Sequence, residues 1–328
     1  MKAITQDRYG EADVLRLSEI PVPRPGRGEV LVEVRAAGVD PGVWHLMAGR
    51  PRMVRLAAGL RRPRWPVRGS AFAGIVSALG EGVDGFAVGD AVYGTAKGSF
   101  AEHAIARVDK IAPRPPALSF EEAAAVPISA PTALQALRDA LRLKSGDHVL
   151  ILGAAGGVGS YAVQIAKAMG ARVTGASSGP NLELVRTLGA DRAIDYTAVD
   201  PLAAGPYDAI LDTGGARSMA RLRAALTPTG ALAIVGAEVG PLGGLGRMLA
   251  APVLTAFSRQ RLVGVISVEH RADLDVMSDY LATGAVRPRI DRVFPLDQAA
   301  DAIRHIGRGH GTGKTVLAIP RSSTQPAS

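Results

Sequence analysis

The chain has 328 residues, enough for two domains with separate cores, and its 47% apolar content suits an α/β protein in water. It contains no cysteine, which excludes disulfides, cysteine nucleophiles and every thiolate metal site. The formal charge is +8, and no apolar run approaches the roughly 20 residues that span a bilayer, so no membrane partner is expected.

The N-terminus is polar by its fifth residue and reads as lacking a secretory signal, which makes the cytosol the default location. Residues 1 to about 115 read as β-rich. Strand patterns at 29–35 and 70–79 are separated by Gly/Pro turns at 21–28, 80–85 and 94–98. Between those strands lie Arg50, Arg52, Arg55, Arg61, Arg62, Arg64 and Arg68, with no acidic residue among them. Two readings stand: a site for nucleic acid or an anionic substrate, and a solvated basic loop. Trp65 alone is a poor stacking platform for bases, so nucleic acid is not the expected partner. Residues 112–117 form a Pro-rich linker, and Ser119 with Glu122 resembles a capping box that opens a helix.

From His148 the pattern alternates between strand and helix. Strands are expected at 148–153, 172–176, 193–195, 208–212, 231–236 and 262–267, with helices at 158–169, 180–189, 216–226 and 245–257. Six strands with intervening helices describe a doubly wound parallel sheet. A helix near 270–283, a strand near 290–294, a helix near 297–308 and a strand at 314–319 follow, and these last pieces are expected to return to the first domain. Residues 321–328 read as a frayed tail.

The most specific local signal is the run from His148 to Ser160, an apolar strand leading through Gly153, Ala154, Ala155, Gly156, Gly157, Val158 and Gly159 into a helix. This is the opening of a dinucleotide-binding βαβ unit. Gly156 lets the backbone approach a pyrophosphate, Gly159 lets helix and strand pack closely, and the helix N-terminus favours the phosphate charge. A ligand-free βα turn and a methyl-donor site share this shape. At the end of the second strand an NAD-selective site carries an acid, whereas here Ser177 and Ser178 stand there and no acid precedes Glu183. Small hydroxyls suit the 2′-phosphate of NADPH, with Arg186 a turn or two further on; the same serines could instead cap the next helix. Gly214 and Gly236–Ala237 follow the fourth and fifth strands, at the carboxyl ends where such sheets bind ligands.

Several motifs in order resemble one family over nearly the whole chain: 36–40 (AAGVD), 69–80 (GSAFAGIVSALG), 86–94 (FAVGDAVYG), 124–134 (AAVPISAPTAL), 153–159 (GAAGGVG), 188–196 (LGADRAIDY), 207–212 (YDAILD) and 313–317 (GKTVL). The chain is similar to medium-chain dehydrogenases/reductases, in the zinc-independent quinone oxidoreductase (zeta-crystallin-like) branch. The resemblance implies an α/β fold with a GroES-like β-rich catalytic domain over 1–120, completed by about 285–328, and a Rossmann domain over 121–284. It also implies a homodimer.

Zinc-dependent relatives carry a cysteine where this chain has Asp40 and a Gly-His-Glu run where it has Gly69, Ser70 and Ala71, so no metal is expected. By the same resemblance Thr132, Val265, Ile266 and Ser267 approach the nicotinamide, and Tyr196 joins the cofactor residues. His45, Asp40 and Tyr93 become the catalytic candidates. His45 stands where relatives place a proton-relay histidine or a tyrosine; a half-exposed histidine bonded to ribose or water is the plainer alternative. Asp40 could orient His45, bind a ribose hydroxyl or serve as a turn residue. Trp44 and Tyr93 are expected to shape the pocket. The implied activity is hydride transfer from NADPH to a quinone, an enone or an enoyl thioester. An alcohol dehydrogenase of the same superfamily and a non-enzymatic NADPH-binding protein are the alternatives.

Overall fold

The computed structural model describes residues 1–215, 217–236, 255, 258–309 and 311–320. The helix expected at 245–257, apart from Thr255, lies outside these residues, as do Ala237 and the tail 321–328. The described residues divide into two compact units, one drawn from Met1–Ile128, Glu269–Ala282 and Pro288–Ser328, the other from Ser129–Val268 and Thr283–Arg287.

The first unit begins with the antiparallel pair β1 (Lys2–Thr5) and β2 (Arg16–Glu19). The strand β3 (Glu29–Val39) runs into helix α1 (Pro41–Ala48), and a short helix α2 (Val54–Ala58) follows. Next come β4 (Ala71–Leu79), β5 (Ala91–Thr95), β6 (His103–Arg107) and β7 (Ile111–Pro113). Helix α3 (Phe120–Ala124) opens on the capping box expected from sequence: Ser119 Oγ accepts from Glu122 N at 3.1 Å, and the Glu122 carboxylate accepts from Ser119 N at 2.8 Å.

The second unit holds α4 (Ser129–Gln135), β8 (His148–Leu152), α5 (Gly157–Ala168), β9 (Arg172–Ser177), α6 (Leu182–Thr187), β10 (Arg192–Asp195), β11 (Tyr207–Asp212), α7 (Met219–Ala224), β12 (Leu226–Val235) and β13 (Arg261–Val265). Its sheet has the order β10-β9-β8-β11-β12-β13 with every neighbouring pair parallel. Two elements differ from the sequence expectation. The helix expected at 180–189 is a 3₁₀ turn (Gly179–Asn181) followed by α6, and β12 starts at Leu226 rather than 231. Leu226 pairs with Tyr207 ahead of a register shift, and the ladder resumes at Ala231 opposite Ala209.

The chain then returns to the first unit with α8 (Arg271–Ala282), β14 (Ile290–Pro295), α9 (Ala299–Gly307) and β15 (Lys314–Ala318). The seven-stranded sheet there runs β14-β15-β3-β4-β5-β7, with β6 also on β3. Helix α8 groups with this unit. The reason is local: the Tyr93 hydroxyl on β5 donates to Leu274 O at 2.9 Å and lies 2.9 Å from Ser278 Oγ, both on α8. Apolar side chains of β3, β4 and β5 meet those of α1 and α9 in one core that includes Val34, Phe72, Met47 and Ile303. Leu150, Ile210, Leu232 and Leu222 form the core of the parallel sheet.

Candidate functional site

In the second unit, β8 lies between β9 and β11, so the chain leaves the sheet centre in opposite directions on its two sides. Ligands bind at the carboxyl ends of the strands flanking such a switch point, here β8 and β11. Two loops meet there. Gly153 has φ +79°, and a Cβ on it would lie 2.4 Å from Thr213 Oγ1, which itself donates to Leu152 O at 2.7 Å. Gly153 N and Ala154 N both donate to Ala176 O, tying the turn to β9.

The glycines of this turn have distinct jobs. A Cβ on Gly159 would lie 2.0 Å from Gly153 O, so only glycine lets α5 start this close to the turn. A Cβ on Gly156 would meet only Gly153 O, at 3.3 Å, so its hydrogen is not demanded by the protein's own packing. Ser160 N donates to Gly156 O, and Gly156, Gly157 and Val158 stay partly exposed. The leading amides of α5 precede that bond and form an open helix N-terminus suited to phosphate.

Along the same edge, the buried Asp212 carboxylate accepts from Gly214 N at 3.2 Å and Gly215 N at 2.8 Å and shapes the loop after β11. A Cβ on Gly214 or Gly236 would meet nothing within 4 Å, so both loops leave open space beside the backbone. Beyond β13, Ile266 is 76% exposed between the half-buried Val265 and Ser267. Thr132 is buried on α4, which packs on α5.

The end of β9 corrects one expectation. Ser177 is only 2% exposed, and its hydroxyl donates to Ser178 O at 3.0 Å, so it is turned away from any ribose phosphate. Ser178 is half-exposed, and its Oγ accepts from Asn181 Nδ2 at 3.1 Å. The exposed Asp195 lies close by, and Thr197, through its hydroxyl and then its amide, holds that carboxyl below the usual carboxylate range. Tyr196 is exposed beside it, and Arg186 pairs with Glu183 at 3.2 Å.

In the first unit, the register that sets Thr315 against Val39 sets Lys314 against Asp40, and the Lys314 ammonium donates to the buried Asp40 carboxylate. Lys314 is thus a partner of Asp40 that the sequence reading did not assign it. The His45 ring Nδ1 lies 2.9 Å from Arg50 O; a carbonyl can only accept, so Nδ1 carries the proton. The geometry also corrects the reading of Tyr93: it is fully buried, spends its hydroxyl on α8, and is pushed up to about 12 by burial. It is a cross-link, not a proton donor. Trp44 Nε1 donates to Glu11 at 3.2 Å, and its ring meets the His45 ring edge-on at 5.1 Å between centroids.

Sequence reasoning missed Thr213, Asp212 and Lys314. Lys314 lay in a motif used only for resemblance. Its value depends on strand register, which a single sequence does not display. The acid at the end of β11 could have been found from the glycine pair after it, since a carboxylate two or three residues before consecutive glycines is a loop-shaping pattern.

A glycine turn at the switch point of a six-stranded parallel sheet defines a dinucleotide-binding unit. Comparison with known proteins agrees. Residues 26–116 match the alcohol dehydrogenase GroES-like domain and residues 188–317 the zinc-binding dehydrogenase family. A chloroplastic quinone oxidoreductase of Triphysaria versicolor is 32% identical over 97% of this chain and 98% of its own length. A 2-methylene-furan-3-one reductase of Solanum lycopersicum is 31% identical over 97% of this chain and 79% of its own length. Among solved structures, a quinone oxidoreductase from Coxiella burnetii superposes with TM-score 0.87 at 32% identity, covering 98% of this chain and 99% of that one. A mycobacterial protein complexed with NADPH gives 0.83 at 28% identity, over 97% and 100%. The chain belongs to the quinone oxidoreductase branch of the medium-chain dehydrogenase/reductase family and is an oxidoreductase.

The zinc implied by one of those family descriptions does not fit the residues present. The chain offers no thiolate, Ser70 and Ala71 are poor ligands, and the Asp40 carboxylate already binds an ammonium.

Proposed function

We propose that this protein is an NADPH-dependent, zinc-independent reductase of quinones or of carbon–carbon double bonds activated by a carbonyl, working in the cytosol as a homodimer. The observation that carries the reading is the open helix N-terminus at Gly156–Val158 on the switch point, with unfilled space beside Gly214 and Gly236 along the same sheet edge. The NADPH-bound mycobacterial relative and the quinone and furanone reductases support it. The dimer is supported by β13, whose outer edge has no strand partner among the described residues.

Gly156, Gly157 and Val158 would hold the pyrophosphate. Val265, Ile266 and Ser267, with Gly214, Gly236 and Thr132, would line the nicotinamide. Ser178 and Tyr196 would meet the adenosine ribose, where Ser177 stands in place of the acid that NAD-selective sites use. When bound, NADPH supplies a hydride, and the protein's share of the rate is orientation of the acceptor. Proton return comes from water or from protonated His45 at Nε2, the ring nitrogen not committed to Arg50 O.

The test is consumption of NADPH and of NADH against a panel of quinones, enones and enoyl thioesters, with direct titration of both nucleotides. Turnover with NADPH on at least one class is expected. Equal affinity for the two nucleotides would reject the NADPH assignment, and no turnover on any class would reject the reductase reading.

A further inference from the structure

We propose that residues 50–65 form a docking face for an anionic lipid bilayer surface. No acidic residue lies between Asp40 and Glu81. Within that stretch Arg50, Arg52, Arg61, Arg62 and Arg64 are exposed, and Lys97 sits 6.0 Å from the Trp65 ring. The same segment holds large apolar side chains out in water: Leu56 is 74% exposed, Leu60 68% and Met53 56%, with Trp65 also exposed. Met53 and Leu56 stand one turn apart at the start of α2, and Leu60 follows in the loop after Gly59 ends that helix.

These side chains are displayed by an anchored segment. Tyr9 donates its hydroxyl to Gly59 O at 2.5 Å, and Arg55 packs over the Tyr9 ring at 4.5 Å while donating to Gly49 O at 3.1 Å. Arg64 N donates to Ala58 O at 2.7 Å and folds Leu60, Arg61 and Arg62 into a short loop against the end of α2. Leucines and a tryptophan ringed by arginines are the composition of a segment that lies in the lipid interface.

Charge decides the occupant. A second copy of this face would bring two arginine clusters together, which repel. A nucleic acid would use the arginines but leave the leucines in water, and Trp65 is the one exposed ring among these residues for stacking. An anionic bilayer uses both: headgroups for the arginines, and the acyl boundary for Met53, Leu56 and Leu60. The contact is peripheral and needs no spanning helix; among the described residues no helix is long and apolar enough to cross a membrane.

The test is sedimentation of the purified full chain with vesicles of phosphatidylcholine alone and of phosphatidylcholine mixed with phosphatidylserine. Partitioning onto the mixed vesicles only, falling as salt rises, is expected. Each arginine near such a surface contributes about fivefold, so Arg61→Glu with Arg62→Glu should lower partitioning by about 25-fold or more. Leu56→Asp with Leu60→Asp should lower it by more than about tenfold at every salt concentration. All four positions are exposed, so melting temperature and NADPH binding should stay at wild-type values in both variants. Failure to sediment with the anionic vesicles overturns the proposal. So does equal binding to both vesicle types, or sedimentation that neither variant weakens. Sedimentation velocity showing that the leucine variant converts a dimer to a monomer without changing vesicle binding would assign the face to a second copy. RNA binding that the arginine variant weakens, with no sedimentation on the mixed vesicles, would assign the face to nucleic acid.

Discussion

Lys314 and Asp40 each lie one step beyond the Thr315–Val39 pair that ends the β15–β3 ladder, 274 residues apart in sequence, and their charged groups meet inside the first unit. Lys314→Met should leave the Asp40 carboxylate buried without its counter-ion and destabilise the protein by about 3–5 kcal/mol. Asp40→Asn should cost a similar amount by stranding the ammonium. The double variant should recover much of the loss, because it buries no charge. Chemical denaturation of the three variants checks this; additive losses in the double variant would show that the two residues are not coupled.

The same ammonium bears on metal content. The purified protein should contain no stoichiometric zinc, and a chelator should leave turnover unchanged. Elemental analysis alongside activity after chelation measures this. One tightly held, required zinc per chain would mean that ligands other than Asp40 and Ser70 assemble a site.

Gly156 and Gly159 should fail in different ways. Gly159→Ala forces a Cβ to within 2.0 Å of Gly153 O, so the turn must move and the unit should lose about 2 kcal/mol or more, seen in thermal melts. Gly156→Val meets far milder crowding within the protein, at 3.3 Å, but its side chain fills the space a pyrophosphate would take. It should melt near wild type and bind NADPH too weakly to measure. Undiminished nucleotide binding in Gly156→Val would remove this loop from the site.

Tyr93 gives a stability prediction with a pH signature. Tyr93→Phe deletes the bonds to Leu274 O and Ser278 Oγ and should cost about 1–3 kcal/mol, with kcat unchanged. Burial raises the native phenol to about 12 from an ordinary 10, so the unfolded chain releases its proton first. Stability is therefore complete below pH 10 and falls as pH rises from 10 towards 12, by about 1.4 kcal/mol per pH unit at most. Denaturation of wild type and Tyr93→Phe across that range should show a shallower alkaline decline in the variant.

His45→Ala should lower kcat by about tenfold to a hundredfold, the low end of general acid catalysis, because solvent can also protonate the product. NADPH affinity should be unchanged. A steady-state series with a good quinone or enone measures both. No change in kcat or KM would make His45 purely a partner of Arg50 O, and a loss beyond roughly ten-thousandfold would make it the obligatory donor.

The elements that carry the nucleotide site were legible because their signals are local. Gly153 to Gly159 sit in seven consecutive residues, between the apolar run Val149–Leu152 and a mostly apolar helical stretch from Val158 to Ala168. Ser177 was misread because residue type does not report burial: every residue of β9 after Arg172 is buried, as in a parallel strand covered on both faces, and Ser177 is buried with them. The partners of Asp40 and Tyr93 were not legible, since Lys314 lies 274 residues from the one and Leu274 lies 181 from the other. Such partners are set by register and packing, which no spacing rule reports. The start of β12 at Leu226 was lost because Thr227 to Gly230 are polar and turn-like, and Leu226 pairs with β11 only across a register shift.

The position of β15 imposes an order on biosynthesis. It lies between β14 and β3, so the sheet that begins with β3 at Glu29 closes only when residues 314–318 are available. The dinucleotide-binding sheet, from His148 to Val265, is complete well before then. A ribosome therefore releases a finished parallel sheet while β3, paired with β4 and over 29–33 with β6, still shows the open edge of residues 36–39, and Asp40 lacks its ammonium. A chain stopped short of Lys314 would retain that exposed flank permanently, as an adhesive edge for other copies of itself.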